Sequence, residues 1–249
     1  MARMQVGGDA ADPARRRRVA VAGSVVVVLL VIVGSVLLWR NVANDTEGPP
    51  RLERIRSLAV IGDSYSQGTP LGGLGSRSWP ALVADHYGAT LTSTAITGRG
   101  YLNPGHNNPG RTFPEQAREI VSTWDGDVLI VFGSRNDSSR RFTPDVQEVA
   151  EQTLAYLQDE LPDTRIVVIG PAWPAQFPPG GDPEANREAV RAAAQSVPDV
   201  VYVDPMEEPW FSERNGVLVA RDQGHFTDAG HRYLSEKIIA VLDRTVLES

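Results

Sequence analysis

The 249-residue chain contains no cysteine. That excludes a disulfide framework, a zinc–thiolate site, a cysteine nucleophile and a lipid-modified cysteine anchor, and it leaves the redox compartment unsignalled. Lysine is nearly missing as well: Lys237 stands alone beside 23 arginines, a composition that hints at a GC-rich bacterial genome. Nucleotide-binding signatures are lacking, since there is no Gly-x-x-x-x-Gly-Lys and Gly98-Arg99-Gly100 has no third glycine. A Gly-x-Ser-x-Gly elbow does not occur, and no internal repeat is visible. His86 and His106 have no partners at metal-ligand spacing, so both read as structural, and neither a metal nor an organic cofactor is called for.

What is present is unevenly charged. Residues 1–40 hold six arginines against two aspartates, a net of +4, which leaves 18 basic and 29 acidic groups, a net of −11, in residues 41–249. An acidic body argues against nucleic acid as a partner. Arg15 to Arg18 directly precede Val19 to Trp39, 21 residues without a charge. As a helix at about 1.5 Å per residue that run spans roughly 30 Å, the thickness of a bilayer's hydrocarbon core. The expectation is a short basic cytoplasmic N-terminus (1–18), a transmembrane signal anchor (19–39), a polar linker (40–56) and an outward-facing domain (57–249). A cleaved secretory signal is the alternative, but its apolar region is usually shorter, and Asn41-Val42-Ala43 is a poor cleavage site. The oligomeric state has no signature, although Gly23 and Gly34 give the anchor small faces for self-association.

From Ser57 onward, short apolar runs alternate with helical patterns. Ser57–Gly62, Ala89–Ile96, Asp127–Gly133, Arg165–Gly170 and Val200–Asp204 read as strands, three of them continuously apolar, as strands buried on both faces are. Thr143-Pro144 opens a helix whose Val146, Val149, Ala150, Leu154, Leu157 and Leu161 recur at helical spacing. Asp182-Pro183 opens another through Ser196, and Thr227 caps a last one with Tyr233, Leu234, Ile238, Val241 and Leu242 on its buried stripe. Strand and helix in repeated alternation predict an α/β fold, a mostly parallel sheet covered by helices on both faces, and ligands beyond the carboxyl ends of the strands.

Those ends carry the polar residues. Gly62-Asp63-Ser64 follows the first strand, Thr97-Gly98-Arg99-Gly100 the second, and Gly133-Ser134-Arg135-Asn136-Asp137 the third, while Asp222 and His225 sit three apart before the last helix. Acyl transfer needs a hydroxyl nucleophile, a base, an acid that orients the base, and donors for the oxyanion. Ser64, His225 and Asp222 supply the first three, and the N–H groups of Ser64 and Gly98 with the carboxamide of Asn136 supply the donors. Taken singly, Ser64 is as well explained as a turn serine with Ser66 for a competitor, Asn136 as a turn former and Asp222 as a helix-approach residue. His231, inside the last helix, reads as a surface or packing residue.

These positions resemble the SGNH, or GDSL-type, serine hydrolases. The stretch "GDSYSQG" is similar to that family's first block, "ITGRG" to its second, "SRND" to its third and "DQGH" to its last. The resemblance implies Ser64 as nucleophile, Gly98 and Asn136 in the oxyanion hole, Asp222 and His225 completing the triad, and a three-layer flavodoxin-like sandwich on a five-stranded sheet. Two positions depart from the family's pattern: Ser134 stands where a glycine is usual, and Tyr65 where a leucine often follows the serine.

Further candidates surround this set. Trp173 and Phe177, in the proline-rich stretch Pro171 to Pro183, are placed to stack on a sugar ring or line an acyl pocket, or else are tucked aromatics of a surface loop. Arg99 and Arg135 flank the oxyanion donors and are candidates for an anionic substrate group, against simple solvation. Tyr101 and Trp210 are weaker candidates. The functional expectation is a membrane-anchored extracytoplasmic esterase acting on a small-molecule or glycan ester. An acyltransferase acting on envelope glycans with the same triad, and a catalytically idle glycan-binding protein, are the rivals.

Overall fold

The structure, a computed structural model, describes residues 51–248 apart from 106–109, 140, 175–180, 209 and 212–215. The expected span at 19–39 and the candidate Phe177 lie outside these residues, and among the described residues no helix is long and apolar enough to cross a membrane.

Five parallel strands form one sheet in the order β2-β1-β3-β4-β5, with β1 Ser57–Gly62, β2 Thr90–Ser93, β3 Val128–Phe132, β4 Arg165–Ile169 and β5 Val201–Val203. This is the flavodoxin-like order, with the first reversal of strand order beside β1. Helices α1 Ser64–Gln67, α2 Trp79–Tyr87, α3 Phe113–Thr123, α4 Thr143–Glu160, α5 Pro183–Ser196 and α6 Asp228–Thr245 provide the connections and the covering layers.

Alternation along the central strands divides the interior in two. Leu58, Val60, Val128, Ile130, Phe132, Val167 and Ile169 face one layer, packing with Trp79 and Val83 of α2 and Leu234, Ile238 and Val241 of α6. Ala59, Ile61, Leu129, Val131, Ile166 and Val168 face the other, against Ile120 of α3, Leu154 and Leu157 of α4 and Val190 of α5. Burial on both sides explains the unbroken apolar runs of the interior strands. The result is the three-layer α/β sandwich expected.

The expected second strand is longer than the observed β2, yet its hydrogen bonds run on past Ser93. Thr94 N–H donates to Val60 O at 3.0 Å and Ile96 N–H to Gly62 O at 3.1 Å, which carries the segment to the level where β1 ends. The domain also starts earlier than Ser57. Leu52 pairs with Leu247 in parallel, Ile55 is buried in the core, and Asp127 Oδ2 accepts from the N–H groups of Arg56 and Ser57. The stretch from Arg51 to Arg56 is therefore part of the fold and not a free linker.

Helix starts follow local chemistry. Asp182 and Thr227 cap α5 and α6 as expected, accepting from Ala185 N–H and Gly230 N–H at 3.1 Å each. Thr112 and Glu115 form a capping box on α3, and Ser78 caps α2, which closes on Gly88 in the left-handed region.

One buried residue ties this frame to the end of β1. Gln116 of α3 is fully buried; its Oε1 accepts from Gly62 N–H at 3.0 Å and its Nε2 donates to Gly62 O at 3.1 Å. Gln116→Leu leaves that N–H without a partner, and chemical denaturation should show a loss of about 1–3 kcal/mol. An unchanged denaturation midpoint and slope would show that the contact does not support the strand end.

Candidate active site

Gly62 ends β1 where a side chain has no room: a Cβ there would lie 2.5 Å from Ser66 Oγ. Asp63 then caps the single turn α1, its Oδ1 accepting from Tyr65 N–H at 2.8 Å, so that the chain turns sharply and Ser64 begins the helix. Of the two serines, Ser66 is turned inward, buried, with no hydrogen-bond partner for its Oγ among the described residues. Ser64 Oγ instead lies 3.1 Å from His225 Nε2.

The histidine comes from a loop closed by an antiparallel bridge between Val219 and Phe226, with Ala220 N–H donating to His225 O at 2.8 Å. Gln223 sits at φ 54°, and Asp222 Oδ1 accepts from the N–H groups of Gly224 and His225 at 3.1 Å each. The other oxygen, Oδ2, lies 2.6 Å from His225 Nδ1. A carboxylate only accepts, so Nδ1 carries the proton and Nε2 is left with a lone pair toward the Ser64 hydroxyl. Ser64, His225 and Asp222 are thus in hydrogen-bonding contact across 161 positions of sequence.

Close packing holds the two halves together. Gly72 and Gly73 bring the segment after α1 against the start of α6: a Cβ on Gly72 would be 2.4 Å from the Thr227 carbonyl carbon, and one on Gly73 2.0 Å from His231 Nε2. Gly73 N–H donates to Asp228 Oδ1 at 2.8 Å, and Trp79 N–H donates to His231 Nδ1 at 3.3 Å. His231 is therefore a buried packing residue, one of the two roles expected of it.

The turns after β2 and β3 meet beside Ser64. Gly98 has φ 76°, and a Cβ there would meet open space, so backbone conformation rather than crowding calls for glycine. Its neighbour Thr97 is tied to the turn that carries Ser64, since Gln67 Oε1 accepts from Thr97 N–H at 2.8 Å and Thr97 Oγ1 at 2.7 Å. Asn136 Nδ2 donates to Asp63 Oδ2 at 2.8 Å and to Arg99 O at 2.7 Å. Both its N–H groups are engaged by the protein, so an oxyanion held by Asn136 has to share one of them. Ser134, at the position where the family's glycine is usual, has a use for its hydroxyl: Oγ donates to Arg99 O and accepts from Asn136 N–H, each at 3.0 Å. Beneath lies Asp137, fully buried, accepting from the N–H groups of Tyr101, Leu102 and Asn103.

Burial governs the electrostatics. It pushes Asp63 up to about 7 against the Tyr65 N–H and the Arg135 charge, which pull it down. It pushes Asp137 up to about 6 against its three N–H donors. Asp222 also feels burial, but the hydrogen bond from His225 and the two loop N–H groups outweigh it and hold the carboxyl at about 2.

The remaining described candidates make contacts within the protein. Arg99 is buried, not solvated, and Arg135 Nη1 donates to Tyr65 Oη at 2.6 Å and to Gly224 O at 2.8 Å. Trp173 is 3 % exposed, which leaves no face of the size a sugar ring needs, because the chain folds it into the interior after β4. Tyr101 packs edge-on to Phe113, and Trp210 is buried with Nε1 donating to Glu208. His86 sits on α2 edge-on to Tyr87, and His106 lies outside the described residues. The supporting roles of Asp63, Gln67, Gln116 and Tyr65 were not anticipated. Only Asp63 and Tyr65 had a signal, through their places beside the serine.

Residues 60–233 match the model of the GDSL-like lipase/acylhydrolase family. A GDSL lipase of Mycobacterium tuberculosis is 35 % identical over 197 residues, covering 76 % of this chain and 82 % of the relative. Among solved structures, a family two carbohydrate esterase from Clostridium thermocellum in complex with cellohexaose shares the fold at TM-score 0.59 and 18 % identity, over 79 % of this chain and 65 % of that one. Est24, a carbohydrate acetylesterase from Sinorhizobium meliloti, does so at TM-score 0.56 and 16 % identity, over 76 % and 99 %. The chain belongs to the GDSL-like lipase/acylhydrolase family, and it is a serine hydrolase of ester bonds.

The buried imidazole beside the site gives a pH signature. Burial holds His231 down at about 4 from an ordinary 6.5. The unfolded chain therefore takes up that proton first, and stability falls as pH drops from about 6.5 to about 4. Asp63 and Asp137, raised in the fold, act oppositely, losing their contributions as pH rises toward about 7 and about 6, so both oppose the His231 effect in the parent. His231→Asn keeps an acceptor for Trp79 N–H. The parent-minus-variant unfolding free energy should fall by about 3 kcal/mol over that acid window. A flat difference curve from denaturant titrations would show that His231 does not titrate this way.

Proposed function

We propose that this is a membrane-anchored extracytoplasmic serine esterase whose triad is Ser64, His225 and Asp222. The observation that carries the reading is the pair of contacts on one imidazole: Nε2 at 3.1 Å from Ser64 Oγ and Nδ1 at 2.6 Å from Asp222 Oδ2. Through them His225 takes the serine proton as Oγ attacks an ester carbonyl, and the resulting imidazolium is stabilised by Asp222. The oxyanion is held by the N–H groups of Ser64 and Gly98 and by Asn136 Nδ2. His225 then protonates the leaving alcohol, and water, deprotonated by the same nitrogen, releases the acid and restores Ser64.

The carbohydrate esterases that share the fold make a glycan ester the substrate class to test first. The anchor is supported by the charge-free run from Val19 to Trp39 behind Arg15 to Arg18, a charge order that favours a catalytic domain outside the cytoplasm. Deleting residues 1–40 should move the protein from the membrane fraction to the soluble one; unaltered fractionation removes the anchor.

A fluorophosphonate probe asks for an activated serine without presuming a substrate. It should label the parent and not Ser64→Ala; labelling that persists in the variant, or is missing from the parent, ends the reading. Asn136→Ala should lower kcat about 10²–10³-fold, as loss of one oxyanion donor does. Asp222→Asn, which removes the charge that favours the imidazolium, should lower it on the order of 10³–10⁴-fold.

A further inference from the structure

Resting on that triad, we infer that Arg135 and Tyr65 form a brace that sets His225 at its distance from Ser64, which makes Arg135 a positioning residue and not an anion-binding one. A single guanidinium nitrogen, Nη1, joins the residue next to the nucleophile with the residue next to the base: Tyr65 Oη at 2.6 Å and Gly224 O at 2.8 Å. Arg135 is itself the residue before Asn136, so three turns of different sequence origin meet on one side chain.

The flank of the histidine loop after His225 is anchored by buried Phe226 and the start of α6, whereas the flank before it has fewer outside ties. Asp222, Gln223 and Arg221 are exposed, and the bonds from Gly224 and His225 N–H to Asp222 Oδ1 lie within the loop. Those bonds fix the loop's shape and the His225–Asp222 contact, but not the separation of His225 from Ser64. The Gly224 carbonyl held by Arg135 does bear on that separation.

Tyr65 is suited to the other end of the brace. It is 2 % exposed, wedged edge-on between Phe132 and Phe226 with ring centroids at 6.1 and 4.7 Å, and it meets the His225 ring edge-on at 6.4 Å. The Arg135 guanidinium lies 5.6 Å from its ring centroid. A planar, weakly hydrated guanidinium can face an aromatic ring while one N–H group reaches each acceptor; an ammonium on a flexible stem holds them less well. A shift of about 1 Å between nucleophile and base costs on the order of 10² in rate.

The test uses the full chain in detergent with two esters, neutral 4-nitrophenyl acetate and the carboxylate-bearing mono-4-nitrophenyl succinate. Arg135→Met should lower kcat about 10²-fold on both with KM within about threefold, because the triad and not substrate binding is disturbed. Tyr65→Phe should lower kcat about tenfold, and the double variant should be no worse than Arg135→Met, since both act through one guanidinium. Arg135→Lys should restore part of the loss. An unchanged kcat in Arg135→Met, a KM increase confined to the succinate ester, or multiplicative losses in the double variant would each overturn the brace. Should Arg135→Met fail to fold, Tyr65→Phe, which deletes one oxygen, decides by its kcat alone: a fall with KM held supports the brace, and no fall overturns it. Ser64→Ala run alongside separates the two inferences. Turnover retained there removes the triad whatever Arg135 does, whereas turnover lost there but intact in Arg135→Met removes only the brace.

Discussion

One hydrogen bond, between Ser64 Oγ and His225 Nε2, sets the demand that the rest of the fold meets. Its ends lie 161 residues apart, and nothing local brings them together. The sheet delivers Ser64 at the carboxyl end of β1, an interior strand one in from the edge of the parallel array, and α6 delivers the loop before it. The contact then depends on how closely the segment after α1 approaches the first turn of α6. Gly72 and Gly73 allow backbone to touch backbone and ring, Asp228 receives Gly73 N–H, and His231 receives Trp79 N–H. A charged imidazole would be costly in that seam, which is why burial holds His231 neutral well below its ordinary range.

The chemistry sits on a polar platform that is expensive to bury. Asp63 and Asp137 lie close enough for the Asp137 charge to raise Asp63 further, and desolvation raises both. What offsets this is a set of donors aimed inward: Tyr65 N–H and Asn136 Nδ2 on Asp63, and three consecutive backbone N–H groups on Asp137. Each donor belongs to a turn that carries a site residue. The cost of burying two carboxyls is therefore met by bonds that also fix the turns carrying Ser64, Gly98 and Asn136, since an unpaired carboxylate there would be worth several kcal/mol against folding.

Much of this was legible in the sequence, for a physical reason. Strands buried on both faces must be apolar at every position, so β1, β3 and β4 were readable to within a residue or so, and Asp182 and Thr227 marked their helices through side chains that accept from the backbone. The four blocks were readable because three set polar residues at strand ends and the fourth sets Asp222 and His225 just before the last helix. Three helices were not, among them the single turn α1. In α2 the buried set Trp79, Pro80, Val83 and Ala84 is too short to declare a period, and its caps, Ser78 and Gly88, are residues found equally in turns. Helix α3 showed its Thr112–Glu115 box only once its surroundings were known. Trp173 stayed open between stacking on a ligand and tucking inward, because an aromatic in a proline-rich loop has the same sequence either way; the fold turns it inward.

Arg135 shows where sequence reasoning stops. Beside Asn136, at a strand end, an arginine has three possible fates: solvent, substrate or another loop. Which one it takes depends on acceptors from elsewhere in the chain, here a phenol 70 positions before it and a carbonyl 89 positions after. Neither Tyr65 nor Gly224 advertises itself as an acceptor for a distant cation. The guanidinium also draws Asp63 down while burial drives it up, so the same side chain that spans the loops tempers the platform beneath them. A residue that holds a tyrosine and a loop carbonyl and moderates a buried acid is constrained by three neighbours at once. Constraint of that kind belongs to the folded arrangement and leaves no motif in any one of its parts.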